Sequence, residues 1–159
     1  MRNIFFYETI IGEIGIIETG NNITDVGFIG NTKNTQIEDI TVNETPLLKE
    51  AGKQLQQYLE GNRKYFDLPL LPAGTKFRKN VWRVLQTIPY GETWSYKKVA
   101  EKVGSPKAAR AVGMANNRNP IAIFIPCHRV IGADGKLVGY GGGLHIKEYL
   151  LNLEKQNKI

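Results

Sequence analysis

Apolar and polar positions along the first thirty residues fall into short runs, Asn3 to Glu8, Gly12 to Glu18 and Ile23 to Ile29, the last two separated by Gly20-Asn21-Asn22. Runs of this length broken by Gly and Asn predict an antiparallel hairpin or meander. Asn31 to Asn43 is polar and reads as loop. Thr45-Pro46 then supplies an N-cap with Pro at the first helical position, and Leu47, Leu48, Ala51, Leu55, Tyr58 and Leu59 recur at helical spacing as far as Gly61. The pattern is one amphipathic helix packed on a small sheet. Asp67 to Gly74 is rich in Pro and Gly, and a domain boundary is expected there, giving segments 1–73 and 74–159.

Beyond the boundary the period is helical. Phe77, Val81, Val84, Leu85 and Ile88 mark a helix of about twelve residues ended by Pro89-Tyr90-Gly91. A second helix starts at Ser95, carries Tyr96, Val99, Ala100 and Val103 on one face, and stops at Gly104. Ser105-Pro106 is expected to cap a third, running from Lys107 to Asn116. Two short helices joined by a tight Gly-containing turn form a helix-turn-helix pattern, which serves either DNA binding or a purely structural role. In the third helix Ala108, Val112 and Ala115 define the core side. Arg110 lies two residues from Ala108, about 200° round the helix, so Lys107, Arg110, Met114 and Asn117 line up on the outer face. The expected fold class is α/β plus α: a small antiparallel sheet with a helix, then a helical domain with the helix-turn-helix.

Charge changes this picture by dividing it. The chain of 159 residues carries a net charge of +6, but residues 1–73 hold 6 basic and 10 acidic side chains, whereas residues 74–159 hold 15 and 5. A basic half suits a polyanion partner through phosphate neutralisation, and its alternative reading is a solvated Lys-rich face. No apolar run approaches the length needed to span a bilayer, and Glu8 and Glu13 interrupt the N-terminal one, so neither a membrane span nor a secretory signal is expected. The expected location is the cytoplasm, with the nucleus left open.

One cysteine and two histidines exclude an internal disulfide and leave too few ligands for a structural zinc site, so no metal is expected. Cys127 is either a small buried hydrophobe or a reactive thiol in a reducing compartment. It follows the apolar run Ile121 to Ile125, bounded by Pro120 and Pro126 and read as a buried strand or extended segment, and it precedes His128 and Arg129. An imidazole and a cationic group both favour the thiolate, although adjacent side chains in extended backbone point apart, so contact with His128 needs a bridging water or a turn. In the last helix, Leu144 to Glu154, the apolar face is Ile146, Tyr149, Leu150 and Leu153. Glu154 lies on its edge, either paired with His128 as the orienting carboxylate of a relay or exposed at a frayed terminus. His145 reads as a surface residue. The Gly-rich stretch Gly139 to Gly143 lacks the lysine of a phosphate-binding loop and fits flexible backbone lining a pocket, or a plain loop.

The runs IPCHRVIG at 125–132 and YGGGLHIKEYLLNLE at 140–154, with the segment GTKFRKNVWRVLQTIPYGETWSYKKVAEKVGSPKAARAVGMANNRNP before them, strongly resemble the O6-alkylguanine-DNA alkyltransferases. The resemblance covers essentially all of residues 74–154. It implies a ribonuclease-H-like domain in residues 1–73 and a single-turnover, cofactor-free transfer of an alkyl group from O6-alkylguanine in DNA to Cys127, with O4-alkylthymine left open as a second substrate. It implies that His128, through a water, and Glu154 activate the thiol, that Asn119 ties this network to the turn after the recognition helix, and that Tyr96 assists departure of the guanine oxygen and lies against the DNA backbone. Arg110 matches the residue that enters the duplex in place of the flipped nucleotide. Val130 and Tyr140 line the base pocket with Gly141 and Gly142, where Gly141 stands at a position that is serine in some members. Lys107, Met114, Asn117 and Arg129 complete the expected DNA-contacting set. The implied partner is double-stranded DNA, met by a monomer in the minor groove with low sequence specificity. A cysteine hydrolase, a non-catalytic lesion binder and a plain helix-turn-helix regulator are the competing classes.

Overall fold

The computed structural model describes residues 1–29, 39–135, 137, 140 and 142–158. Its contacts divide the chain into two compact units, Met1–Pro72 and Ala73–Ile159. The division falls one residue before the boundary expected from the Pro- and Gly-rich segment.

The first unit is a four-stranded sheet with one helix. Strands β1 (Arg2–Thr9), β2 (Gly12–Thr19) and β3 (Asn22–Phe28) form an antiparallel meander, and β4 (Ile40–Val42) joins the other edge of β1 in parallel, giving the order β3-β2-β1-β4. β4 corrects the expectation that Asn31 to Asn43 is all loop: three of its residues pair with Arg2, Asn3 and Ile4. Residues 31–38 of that stretch lie outside the described residues. Gly20 (φ 56°) and Asn21 (φ 68°) both adopt positive φ between β2 and β3, the backbone twist a two-residue hairpin turn requires. Helix α1 (Pro46–Leu59) starts where the Thr45 side chain accepts a hydrogen bond from the Leu48 N–H at 3.1 Å, and it buries Leu48, Ala51, Leu55, Tyr58 and Leu59. Gly52 sets how closely it lies on the sheet: a Cβ there would stand 2.5 Å from the Tyr7 ring.

The second unit carries the helices and the candidate site. Helix α2 (Lys76–Leu85) is capped by Thr75 and buries Val81, Trp82, Val84 and Leu85. It is shorter than the expected twelve residues, because Ile88 donates to the Leu85 carbonyl in a closing turn. Helix α3 (Tyr96–Val103) is capped by Ser95 and ends at Gly104 with φ 91°, a conformation that favours glycine. Helix α4 (Ala109–Asn117) completes the helix-turn-helix. Its start corrects the Ser105-Pro106 cap: the Ala108 N–H donates to the Ser105 carbonyl at 2.9 Å, so Ser105 to Ala108 is a turn, and Ala108 stands at the cap position with no side-chain bond. Val112 and Ala115 are buried as expected, and Ala108 is half-buried. The Trp82 indole N–H donates to the Ala115 carbonyl at 2.8 Å, holding the end of α4 to α2. A short parallel pair, β5 (Trp94–Ser95) with β6 (Val130–Ile131), and helix α5 (Leu144–Gln156) complete the unit.

Candidate active site

Cys127 is positioned by a tightly wound segment. The expectation of a strand over Ile121 to Ile125 is overturned: the Ile125 N–H bonds back to the Ile121 carbonyl at 3.0 Å and the Phe124 N–H to the Ala122 carbonyl at 2.8 Å. Ile123 sits at φ 72°, a region that a β-branched side chain enters at a cost of about 1–3 kcal/mol. Burial of Ile121, Ile123, Phe124 and Ile125 holds the turn in place. Asn119 clamps it from both ends, its Oδ1 accepting from the Ile121 N–H at 3.0 Å and its Nδ2 donating to the Ile125 carbonyl at 2.8 Å. The Cys127 N–H donates to that same Ile125 carbonyl at 2.8 Å. Cys127, His128 and Arg129 then form one 3-10 turn, which supplies the bend that extended backbone lacks.

Behind the turn lies a buried charge cluster centred on Glu154 of α5. Glu154 is 1% exposed, so the frayed-terminus reading is excluded. Its Oε2 lies 2.7 Å from His128 Nε2 and accepts from Arg129 Nη2 at 3.0 Å. Its Oε1 accepts from Arg129 Nε at 2.8 Å and from the Gly91 N–H at 3.1 Å. Burial by itself would raise the Glu154 pKa, but the hydrogen bond from His128 and the hydrogen bonds and charge of Arg129 outweigh it and hold the carboxyl well below the usual range. Burial pushes His128 down and Glu154 pulls it back part of the way, leaving a neutral imidazole as the resting form. Nε2–H then donates to the carboxylate and the ring lone pair is at Nδ1. Burial raises the Cys127 thiol, against a hydrogen bond from Asn119 and the charge of Lys147, so the resting sulfur is protonated and needs a base.

Two cations in this cluster differ from the sequence reading. Arg129, expected among the DNA-contacting residues, is buried: besides Glu154 it donates from Nη1 to the Ile88 carbonyl at 2.7 Å. A guanidinium buried with Nε, Nη1 and Nη2 each donating inside the fold is spent on the core and not on a DNA phosphate, and that assignment is corrected. Lys147 is the residue that sequence reasoning missed. It is 0% exposed and its Nζ donates to the Val130 carbonyl at 2.6 Å. A signal was present, since Lys147, Leu150 and Glu154 fall at i, i+3 and i+7 and therefore on one helix face.

Of the other expected residues, some lie in the second unit's interior and some face outward. Pairing of Trp94 with Val130 and Ser95 with Ile131 draws the start of α3 beside the Cys127 turn, so that a negative charge on Cys127 adds to burial in raising the Tyr96 pKa. Tyr140 is raised for the same two reasons, and both phenols stay protonated as donors. The Tyr96 ring lies against α4 at Gly113, where a Cβ would approach it to 3.7 Å. Val130 is fully buried, Gly142 is half-buried, and Gly141 lies outside the described residues. Lys107, Arg110, Met114 and Asn117 are all exposed, and His145 is exposed as expected. Among the described residues no three His, Cys, Asp or Glu side chains come together to hold a metal ion, and no helix is long and apolar enough to cross a membrane.

Known proteins resemble this chain along both of its units. Residues 76–156 match the family described as "6-O-methylguanine DNA methyltransferase, DNA binding domain", and residues 5–72 match its "ribonuclease-like domain". The methylated-DNA--protein-cysteine methyltransferase of Methanosarcina acetivorans is 50% identical over 93% of this chain and 95% of its own. The constitutive one of Bacillus subtilis is 48% identical over 93% and 92%. The crystal structure of the Mycobacterium tuberculosis O6-methylguanine methyltransferase superposes with a TM-score of 0.93 at 42% identity, covering 100% of this chain and 96% of that one. The structure of a Mycobacterium tuberculosis OGT in complex with DNA gives 0.89 at 44% identity, covering 98% and 94%. With both of its units matched and its Pro-Cys-His-Arg-Val turn backed by a buried glutamate, the chain belongs to the 6-O-methylguanine DNA methyltransferase family.

Proposed function

We propose that this chain repairs O6-alkylguanine in double-stranded DNA by transferring the alkyl group to Cys127, once per molecule. The observation that carries this reading is the single cysteine on a 3-10 turn, backed by the 2.7 Å His128–Glu154 pair and placed in the same unit as an exposed basic recognition helix. Cys127 Sγ attacks the alkyl carbon, the C–O6 bond breaks, and the thiol proton passes through a water to His128, whose new charge Glu154 stabilises. Tyr96 donates its hydroxyl hydrogen to the departing guanine oxygen, and the proton on His128 replaces it. The product is a thioether together with intact guanine. No group in the cluster is disposed to hydrolyse a thioether, so the reaction ends there.

A base within a duplex cannot present its O6 substituent to a buried sulfur, so the nucleotide is flipped out and Arg110 occupies its place. The chain acts as a monomer through the minor groove, with Lys107, Met114 and Asn117 beside Arg110, and reads little sequence. Val130, Tyr140 and Gly142 line the pocket for the base. The cytoplasm, where thiols stay reduced, is the site of action. Incubation with O6-methylguanine duplex tests the reading by intact mass and peptide mapping. One added methyl on the Cys127 peptide, absent from Cys127→Ala, is expected; repair in molar excess over protein, or no adduct, rejects it.

A further inference from the structure

Arg129 occupies a position that the alkyl-transfer chemistry leaves unexplained. It is 7% exposed and every polar contact it makes is internal: two N–H groups on the Glu154 carboxylate at 2.8 and 3.0 Å and one on the Ile88 carbonyl at 2.7 Å. Its guanidinium carbon also lies 5.7 Å from the centre of the Tyr90 ring. The carboxylate is thereby shared. Arg129 places two N–H groups on Glu154, Gly91 one and His128 one. The charges that face His128 are Glu154 and Lys147 of α5 and Arg129 of its own turn, two cations against one anion. A relay carboxylate left to the histidine alone would draw a second proton onto the ring. An imidazolium cannot accept the thiol proton.

We propose that Arg129 is a positioning residue for the thiol-activating pair: by clamping Glu154 in two-point contact and taking up its charge, it holds His128 as the neutral imidazole that can receive the proton of Cys127. The Ile88 carbonyl holds the guanidinium as well, so the turn after α2 helps set the orientation of the pair. The charge of Lys147 acts in the same direction. The proposal rests on the alkyl-transfer reading for its consequence, but the protonation state of His128 is measurable without any substrate.

The test is an NMR titration of the imidazole nitrogens in the wild type, Arg129→Met and Arg129→Lys, with His145→Gln assigning the two histidines. The wild-type His128 is expected to titrate below the value of an ordinary histidine. In Arg129→Met the protonated fraction at neutral pH rises by about tenfold or more, which is one pKa unit. Methyl transfer then slows at neutral pH and recovers as the pH is raised. Arg129→Lys keeps the charge but not the two-point geometry, and lies between. A folded Arg129→Lys whose His128 titrates as in the wild type, or an Arg129→Met rate lowered by the same factor at every pH, overturns the proposal in favour of a purely structural arginine. If wild-type Cys127 acquires no alkyl group, the alkyl-transfer reading fails while the titration still decides the role of Arg129.

Discussion

His128 Nε2 and Glu154 Oε2 lie 2.7 Å apart across 26 residues of chain, both side chains almost fully buried. The pair joins the turn that carries the thiol to the C-terminal helix. The proposed acid–base chemistry and the stability of the second unit therefore rest on the same carboxylate.

Glu154→Gln should lower stability by about 3–5 kcal/mol, since it leaves the Arg129 guanidinium buried without its counter-charge. It should also slow methyl transfer, because the imidazolium formed during reaction loses its stabilising charge. Urea unfolding and single-turnover rates measure the two effects. An unchanged rate–pH profile would remove Glu154 from the chemistry.

Stability should fall with acid, and the sign follows from two depressed pKa values. Glu154 and His128 are both lowered in the folded protein, so the unfolded chain binds the extra protons. His128 contributes above the ordinary histidine value, about pH 6.5, and Glu154 above about pH 4.3; each contribution is lost as pH falls toward the folded-state value. Denaturation midpoints from pH 8 to about pH 3 check this, and Glu154→Gln should flatten the lower part of the curve.

Arg110→Ala should slow repair in duplex DNA by about tenfold or more while leaving reaction with a free O6-alkylguanine base nearly unchanged, because only the duplex has a gap to fill. Equal losses on both substrates would sink the assignment. Binding of the wild type to undamaged duplex should weaken steeply with salt, and Lys107→Ala should reduce that slope by about one.

Asn119→Ala should act through geometry. The Ile121 N–H loses its side-chain partner, at a cost of about 1–3 kcal/mol for a group left unsatisfied, while the Ile125 carbonyl keeps the Cys127 N–H and loses only its second donor. The turn through Ile123 then relaxes, and the thiol loses a hydrogen bond that lowers its pKa. Iodoacetamide alkylation should show the Cys127 rate–pH curve displaced to higher pH, which a loss of stability by itself would not produce.

Lys147→Met removes a buried cation whose charge favours the thiolate, and its Cys127 alkylation curve should also move to higher pH, with the base pocket loosened at the Val130 carbonyl. Lys147→Arg should restore part of the shift. Identical curves for Lys147→Met and the wild type would leave Lys147 with a packing role alone.

Much of the arrangement follows from local order along the chain. The Thr45 and Ser95 caps, the stop at Gly104, the meander turn at Gly20-Asn21 and the outward set Lys107, Arg110, Met114 and Asn117 are consequences of backbone preference and of the 3.6-residue period, which neighbouring residues settle among themselves. The Pro-Cys-His-Arg-Val run marked the candidate thiol through its resemblance to a known family, not through any local backbone preference. The tertiary structure alone decided what depends on distant partners. Ile121 to Ile125, apolar enough for a strand, winds into a turn because Asn119 bonds both of its ends and a core surrounds it. Arg129 points inward because Glu154, 25 residues away, and the Ile88 carbonyl, 41 residues away, meet its guanidinium there. Lys147 is buried because the Val130 carbonyl lies within its reach. Charge is printed in a sequence, but whether it is spent on water, on DNA or on a buried carboxylate is settled by desolvation, and desolvation belongs to the folded chain.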